Sequence, residues 1–248
     1  MSRPPLTTSD GLVLAGRRWL STTPPRAAVV LVHGFTSSAD DPRLNAIAED
    51  LHAQGFDLVS YDARGHGRSG GESTLGDAEQ HDVAAAVATA RLRADDVILV
   101  GASMGAIAAL RYATTDPMLA GVVSLSSPSH WRLPRTPVAL LTTAMTRTRL
   151  GRRAVARWLR VRVAPRWTNP APPARIVGRI RVPVAFIHGT KDHFIPERDA
   201  RELYDQAVEP RFLDLVPGMG HGFDETAVVP VRRAVEWALA HQPRLLTL

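Results

Sequence analysis

Four apolar residues in a row, Val97-Ile98-Leu99-Val100, run into Gly101-Ala102-Ser103-Met104-Gly105, and the Ala-rich stretch Ala106 to Ala113 follows at once. A short apolar run bounded by glycine reads as a strand buried on both faces, and the Ala-rich stretch reads as a helix. Strand, small-residue turn and helix in that order push a hydroxyl out at the end of a parallel strand. The two glycines flank the serine because side chains there would clash with the neighbouring strand and helix. The turn is expected to leave Ser103 in a strained backbone conformation. Five residues of this kind also occur by chance, so their weight rests on the remainder of the chain.

The remainder keeps the same rhythm. Leu12-Val13-Leu14 and Arg17-Arg18-Trp19-Leu20 read as an opening strand after the turn Ser9-Asp10-Gly11. Ala27 to Val32 is a continuous apolar run, a buried strand that ends at His33-Gly34-Phe35. A helix with Leu44, Ile47, Ala48 and Leu51 on one stripe follows and closes at Gly55. Phe56 to Tyr61 is the next strand, then the polar loop 62–71, a helix around Asp77 to Arg91, and a strand at Gly121 to Leu125. After Ser127 the rhythm breaks for about 50 residues, with proline-rich stretches near Pro134–Pro137 and Pro165–Pro173. It resumes with a strand at Val182–Ile187, a helix at Glu197–Ala207, a strand at Arg211–Val216 and a helix at Val228–Ala240. Such alternation predicts an α/β fold, a mainly parallel sheet with helices on both faces, whose site lies at the carboxyl ends of the strands. The predicted division is a core of residues 1–126 and 182–248 interrupted by an insert at 127–181.

The chain's 248 residues suit one large domain, or a core with one insertion. No apolar stretch is long enough to span a bilayer. The opening Met-Ser-Arg-Pro-Pro-Leu-Thr-Thr lacks the apolar run of a secretory signal, so the expected location is cytoplasmic. The absence of cysteine excludes disulfides and thiolate chemistry. Charge is unevenly spread. From Pro117 to Lys191 there is no Asp or Glu beside 14 Arg and Lys, whereas the remainder holds 16 basic and 24 acidic residues. All but one of the 30 basic residues are arginine, a compositional bias that accounts for Arg over Lys but not for the missing acids. The basic segment carries no nucleic-acid motif and little aromatic interleaving, so a nucleic-acid partner is not expected.

A serine hydroxyl is a poor nucleophile unless an imidazole takes its proton, and the imidazole needs a carboxylate to hold its tautomer and stabilise its cation. Asp192, in Gly189-Thr190-Lys191-Asp192-His193-Phe194, lies just past the strand that ends at Ile187. His221, in Gly218-Met219-Gly220-His221-Gly222-Phe223, lies just past the strand ending at Val216. The loop after Val122–Leu125 reads Ser126-Ser127-Pro128-Ser129 and offers no competing carboxylate. Ser103, Asp192 and His221 are therefore the candidate catalytic residues. No His/Asp/Glu grouping has metal-ligand spacing and no glycine loop has a phosphate-binding pattern, so no metal or cofactor is implied.

His33-Gly34-Phe35, Asp62-x-Arg64-Gly65-His66-Gly67-x-Ser69, Gly101-x-Ser103-Met104-Gly105, Val182-Pro183, Gly189-x-x-Asp192 and Gly220-His221 stand together in this order. With them the chain resembles the α/β-hydrolases. It is similar to the branch of monoacylglycerol lipases, lysophospholipases and related small bacterial esterases, of serine aminopeptidase type. The resemblance covers essentially everything outside the insert. It implies an eight-stranded, mainly parallel sheet, a helical lid formed by the insert, and hydrolysis of carboxylic esters through an acyl-enzyme. It also implies an oxyanion hole built from the backbone N–H of Met104 and that of Phe35, whose side chains are expected to wall the acyl pocket. Thioesterases and acyl-transfer enzymes share these residues, and a non-catalytic binding protein on the same fold is the reading from another class. His33 and the Asp62, Arg64 and His66 group are expected to brace loops beneath the site. His188 and His193 are expected to be structural or solvated.

Within the insert, Leu150, Ala154, Trp158 and Val161 recur at helical spacing among Arg149, Arg152, Arg153, Arg157 and Arg160. The spacing predicts a basic amphipathic helix whose apolar side packs over the site. A sharper reading has its arginines attract an anionic or lipid-like ester substrate or an acidic lipid surface, with peripheral membrane contact through the lid.

Overall fold

In a fully buried strand, successive residues serve opposite faces of the sheet. Strand β3 (Ala28–Val32) divides in this way: Ala28, Val30 and Val32 enter one hydrophobic core, and Val29 and Leu31 enter a second. This computed structural model describes residues 2–131 and 137–242. Its strands are β1 (Pro5–Thr7), β2 (Val13–Trp19), β3, β4 (Asp57–Tyr61), β5 (Val97–Ala102), β6 (Gly121–Leu125), β7 (Val184–Gly189) and β8 (Arg211–Val216). They form one sheet in the order β1-β2-β4-β3-β5-β6-β7-β8. The β1–β2 and β2–β4 pairs are antiparallel, and the other pairs are parallel. Seven of the eight strands among the described residues fall where the sequence predicts strands. The short edge strand β1, with a single buried leucine at Leu6, carries no apolar run.

Helices cover both faces. On one side α2 (Glu79–Ala90), α3 (Met104–Ala113) and α7 (Glu197–Gln206) supply Val83, Val87, Ala109, Leu110 and Leu203 to the core. On the other, α1 (Pro42–Ala53) and α8 (Val228–His241) supply Ile47, Leu51, Val231 and Val235. The stripe Leu44, Ile47, Ala48 and Leu51 is the buried face of α1, as its spacing predicts. No described helix is long and apolar enough to cross a membrane.

Between β6 and β7 the strand–helix alternation stops, as the sequence indicates. Here lie α4 (Pro137–Arg147), α5 (Arg149–Ala154), a π-helical turn at Val155–Leu159 and α6 (Pro173–Ile176). Pro134, in the stretch that opens the break, lies outside the described residues. The single amphipathic helix expected at 150–161 is corrected. Leu150 and Trp158 are 77% and 76% exposed, and the buried residues are Val155, off the predicted stripe, and Val161, beyond the end of the helix. Helical spacing fails because α5 ends at Ala154, the turn after it widens, and Arg160 takes a left-handed φ of 54°. Val161 therefore leaves the helix and begins an extended strap. Val161 bridges to His66 and Val163 to Ser73, the Arg162 N–H donates to Gly65 O (2.8 Å), and the Ser73 N–H donates to Arg162 O (2.7 Å). Val155, Val161 and Val163 form a small cluster against Phe35. The Trp131 indole donates to Pro170 O and meets Trp167 edge-on, tying the two ends of the insert together.

Candidate active site

Gly101 and Gly105 bracket Ser103 for the reason the sequence suggests. A Cβ on Gly101 would stand 2.5 Å from Gly105 O, and one on Gly105 would stand 2.2 Å from Val32 O. These contacts drive the chain sharply from β5 into α3, and Ser103 at the corner has φ 53° and ψ −114°. That region is unfavourable for a residue with a side chain and is held only by surrounding structure. One restraint is visible: the Ser103 N–H donates to Leu125 O (2.8 Å), at the end of β6.

The loop after β3 closes over this corner. An ideal Cβ on Gly34 would lie 3.4 Å from the Ser103 Cβ, so Gly34 and Phe35 pass beside the serine. Thr36 follows with φ 68°, a sharp turn after Phe35. The Phe35 and Met104 N–H groups have no acceptor among the described residues. The Phe35 side chain packs under the strap. The Met104 side chain is buried in the core, with its sulfur 3.5 Å from the Ser73 hydroxyl. Packing against α2 and the 72–79 loop wins over the outward direction.

His33 braces this loop as expected. Its Nδ1 donates to Gly34 O (2.8 Å) and its Nε2 accepts from the Ala63 N–H (2.9 Å), an arrangement that requires the neutral ring. Burial, aided by neighbouring His66, lowers its pKa to about 4. Asp62 accepts from the Ala39 and Arg68 N–H groups, and Arg64 pairs with Asp82 and Asp10. These contacts lock the polar loop below the site. His66 is buried edge-on to both His33 and Phe35.

Asp192 and His221 come together from the ends of β7 and β8. His221 Nδ1 lies 2.7 Å from Asp192 Oδ2, and the carboxylate is fully buried. Its other oxygen accepts from the Phe194 and Ile195 N–H groups at 2.8 and 2.9 Å. Burial alone would raise this carboxyl. The His221 bond and charge, with the two backbone donors, outweigh burial and hold the carboxyl below the ordinary range. The two loops touch because Gly189 has no side chain: a Cβ there would lie 2.2 Å from Met219 O.

The His221 loop reaches the serine corner through its next residue. An ideal Cβ on Gly222 would sit 3.7 Å from the Ala102 Cβ, and the Gly222 N–H donates to Ser126 Oγ (3.0 Å). The Ser103 hydroxyl makes no hydrogen bond among the described residues. Ser126 is a supporting residue that sequence reasoning passed over. Its place after β6 was legible, but a serine there carries no signal until the His221 loop folds onto it. His188, expected to be structural or solvated, is buried; its Nε2 donates to Ile195 O (3.0 Å) and stands 3.8 Å from Asp192 Oδ2. The Phe194 ring is half exposed against His221, with centroids 5.1 Å apart.

The family model described as serine aminopeptidase, S33 matches residues 23–172, which include Phe35 and the Ser103 corner and stop short of Asp192 and His221. A monoacylglycerol lipase of Mycolicibacterium smegmatis is 29% identical over 240 residues, covering 82% of this chain and 84% of the lipase. An uncharacterized protein of Bacillus subtilis, YqkD, is 26% identical over 219 residues; they cover 80% of this chain and 66% of that protein's length. Among solved structures, the Pyrococcus furiosus esterase Pf2001 superposes with a TM-score of 0.71 at 22% identity, covering 96% of this chain and 90% of the esterase. The Penicillium α/β-hydrolase GrgF gives 0.74 at 19% identity, with 97% and 98% covered. At these identities the structural likeness establishes the fold, and the sequence match establishes the family. The chain belongs to the serine aminopeptidase S33 family and has the α/β-hydrolase fold.

Proposed function

We propose that the protein hydrolyses carboxylic esters through Ser103, His221 and Asp192, by way of an acyl-enzyme. Ser103 Oγ attacks the ester carbonyl while His221 Nε2 accepts its proton. Asp192 holds Nδ1–H and stabilises the imidazolium. The carbonyl oxygen, now an oxyanion, accepts from the unengaged Phe35 and Met104 N–H groups. The tetrahedral adduct collapses, His221 returns the proton to the leaving alkoxide, and the alcohol departs. Water then attacks the acyl-serine with His221 as base, releasing the acid and restoring the Ser103 hydroxyl.

One observation carries this reading: a fully buried carboxylate bonded at 2.7 Å to a partly exposed imidazole, on loops that fold onto the strained serine corner. A buried Asp–His pair costs desolvation free energy, and catalysis gives that cost a purpose. The proposed substrates are small to medium acyl or lipid-like esters, the lipid-like class being supported by the relative named monoacylglycerol lipase. The segment 127–181 is the proposed lid, a cap resting on Phe35 through its valine strap.

A fluorophosphonate probe tests the assignment. Wild-type protein is expected to label at Ser103 and to turn over short p-nitrophenyl esters; labelling elsewhere, or none, would remove the serine from its role. A panel of oxygen esters and acyl thioesters of matched chain length then reads the preferred leaving group.

A further inference from the structure

Arginines in this protein fall into two populations. Among the described residues, thirteen of the fifteen arginines outside the 127–181 segment form a salt bridge. None of the eleven within it does, from Arg147 to Arg181. Arg152 and Arg162 donate to backbone carbonyls of Arg147 and Gly71, which leaves their charge uncompensated. An open cleft of about 260 Å³ is lined by Arg149, Arg152, Arg153 and Arg162, with Glu72 the one acid on its wall.

The same segment exposes apolar side chains. Five large apolar residues in the described chain are at least 60% exposed, and four of them are Leu140, Leu141, Leu150 and Trp158. Gly151 presses α5 onto α4: a Cβ there would lie 2.2 Å from Ala144 O, so these residues belong to one tight helical hairpin. A side chain such as Trp158 held in water without a partner is unfavourable, and four within twenty residues mark an interaction surface. Unpaired guanidiniums interleaved with exposed Leu and Trp fit one class of partner best. Duplex nucleic acid satisfies the charge but leaves the aliphatic side chains in water. A second copy satisfies the apolar groups but sets the six guanidiniums between residues 137 and 160 against six more. A bilayer with anionic headgroups satisfies both.

We propose that the hairpin 137–160 is a docking surface for an anionic lipid bilayer, with Leu150 and Trp158 entering the interface and Arg149, Arg153 and Arg157 meeting headgroup phosphates. Inward-facing Val161 and Val163 of the strap rest on Phe35, so a docked hairpin sets the bilayer beside the candidate site. Binding itself rests on charge and exposed apolar groups. It rests on the ester-hydrolase reading only for its purpose.

Vesicle cosedimentation of the full chain tests this. Phosphatidylcholine vesicles are compared with vesicles holding about 30 mol% phosphatidylglycerol, at about 50 mM and about 500 mM NaCl, conditions that differ several-fold in screening. Binding to the anionic vesicles is expected to be roughly tenfold tighter or more at low salt, and to weaken at high salt. R149Q/R153Q/R157Q is expected to lose roughly tenfold or more while keeping the melting temperature and the turnover of a soluble short ester. L150S/W158S, carried as a second variant, is expected to bind more weakly at both salts. S103A is expected to bind as wild type, which separates docking from catalysis. Equal binding to both vesicles, no binding, undiminished binding by the triple variant, or equal salt-sensitive retention on a DNA duplex would each overturn the proposal. So would a stable dimer in solution that buries the hairpin.

Discussion

At Ser103, the proposed nucleophile, the backbone is itself distinctive, since a φ of 53° is a conformation that only its neighbours can hold. Ser103→Ala keeps that backbone and is expected to lower p-nitrophenyl ester turnover by roughly 10⁴-fold or more with little change in melting temperature. Retained turnover would place the nucleophile elsewhere. Asp192→Asn tests the partner. An amide there no longer holds the Nδ1–H tautomer, so kcat is expected to fall by about 10⁴ while substrate binding changes little. Steady-state kinetics on a soluble ester read both quantities. Gly105→Ala tests the corner: its Cβ would stand 2.2 Å from Val32 O and 2.6 Å from His33 O. Overpacking of this kind costs about 2 kcal/mol, or roughly 5 °C in Tm, measured by thermal unfolding. Each of these residues was legible in the sequence because its type is dictated by chemistry or by close approach. Ser126, whose hydroxyl accepts from the Gly222 N–H, was not, because a serine acquires that role only from a loop 96 positions away.

The informative elements are the loops at the strand ends. The loop after β3 depends on a buried neutral His33 that accepts the Ala63 N–H. Its folded pKa of about 4 lies below the ordinary value of 6.5, so the unfolded chain takes up a proton first as pH falls. The His33 contribution is therefore complete above about pH 6.5 and is lost as pH drops toward 4. Its full size is about 3 kcal/mol. Urea titrations at a series of pH values are expected to show a steeper loss of stability on acidification in wild type than in His33→Gln; equal slopes would contradict the assignment. The core strands and helices were read within a residue or two because their periodicity reflects burial on a sheet. The insert misled the same reasoning. Leu150, Ala154, Trp158 and Val161 have helical spacing, yet the helix ends between them: Leu150 and Trp158 are exposed, while Val155 and, past the helix, Val161 are buried. Periodicity predicts which face is apolar, and it presumes that the helix continues.

Across the whole molecule, an acid-free segment with uncompensated arginines sits on a body whose arginines are nearly all paired. A field of that kind steers anions, and salt screens it. For anionic and neutral esters of equal chain length, kcat/KM of the anionic ester is expected to fall several-fold between about 50 mM and about 500 mM salt, and that of the neutral ester to stay level. Equal, salt-independent rates would remove the steering. The sequence alone determined the α/β-hydrolase architecture and singled out Ser103, Asp192 and His221 as the candidate residues. A doubly buried parallel sheet writes itself as apolar runs, and its strand ends carry residues whose chemistry admits few substitutes. Only the tertiary structure decided that Met104 turns inward, that Ser126 accepts from the histidine loop, and that Arg149, Arg153, Arg157, Leu140, Leu141 and Leu150 of the insert face solvent. Those outcomes depend on which distant segments compete for the same space, a contest that no local pattern in the chain records.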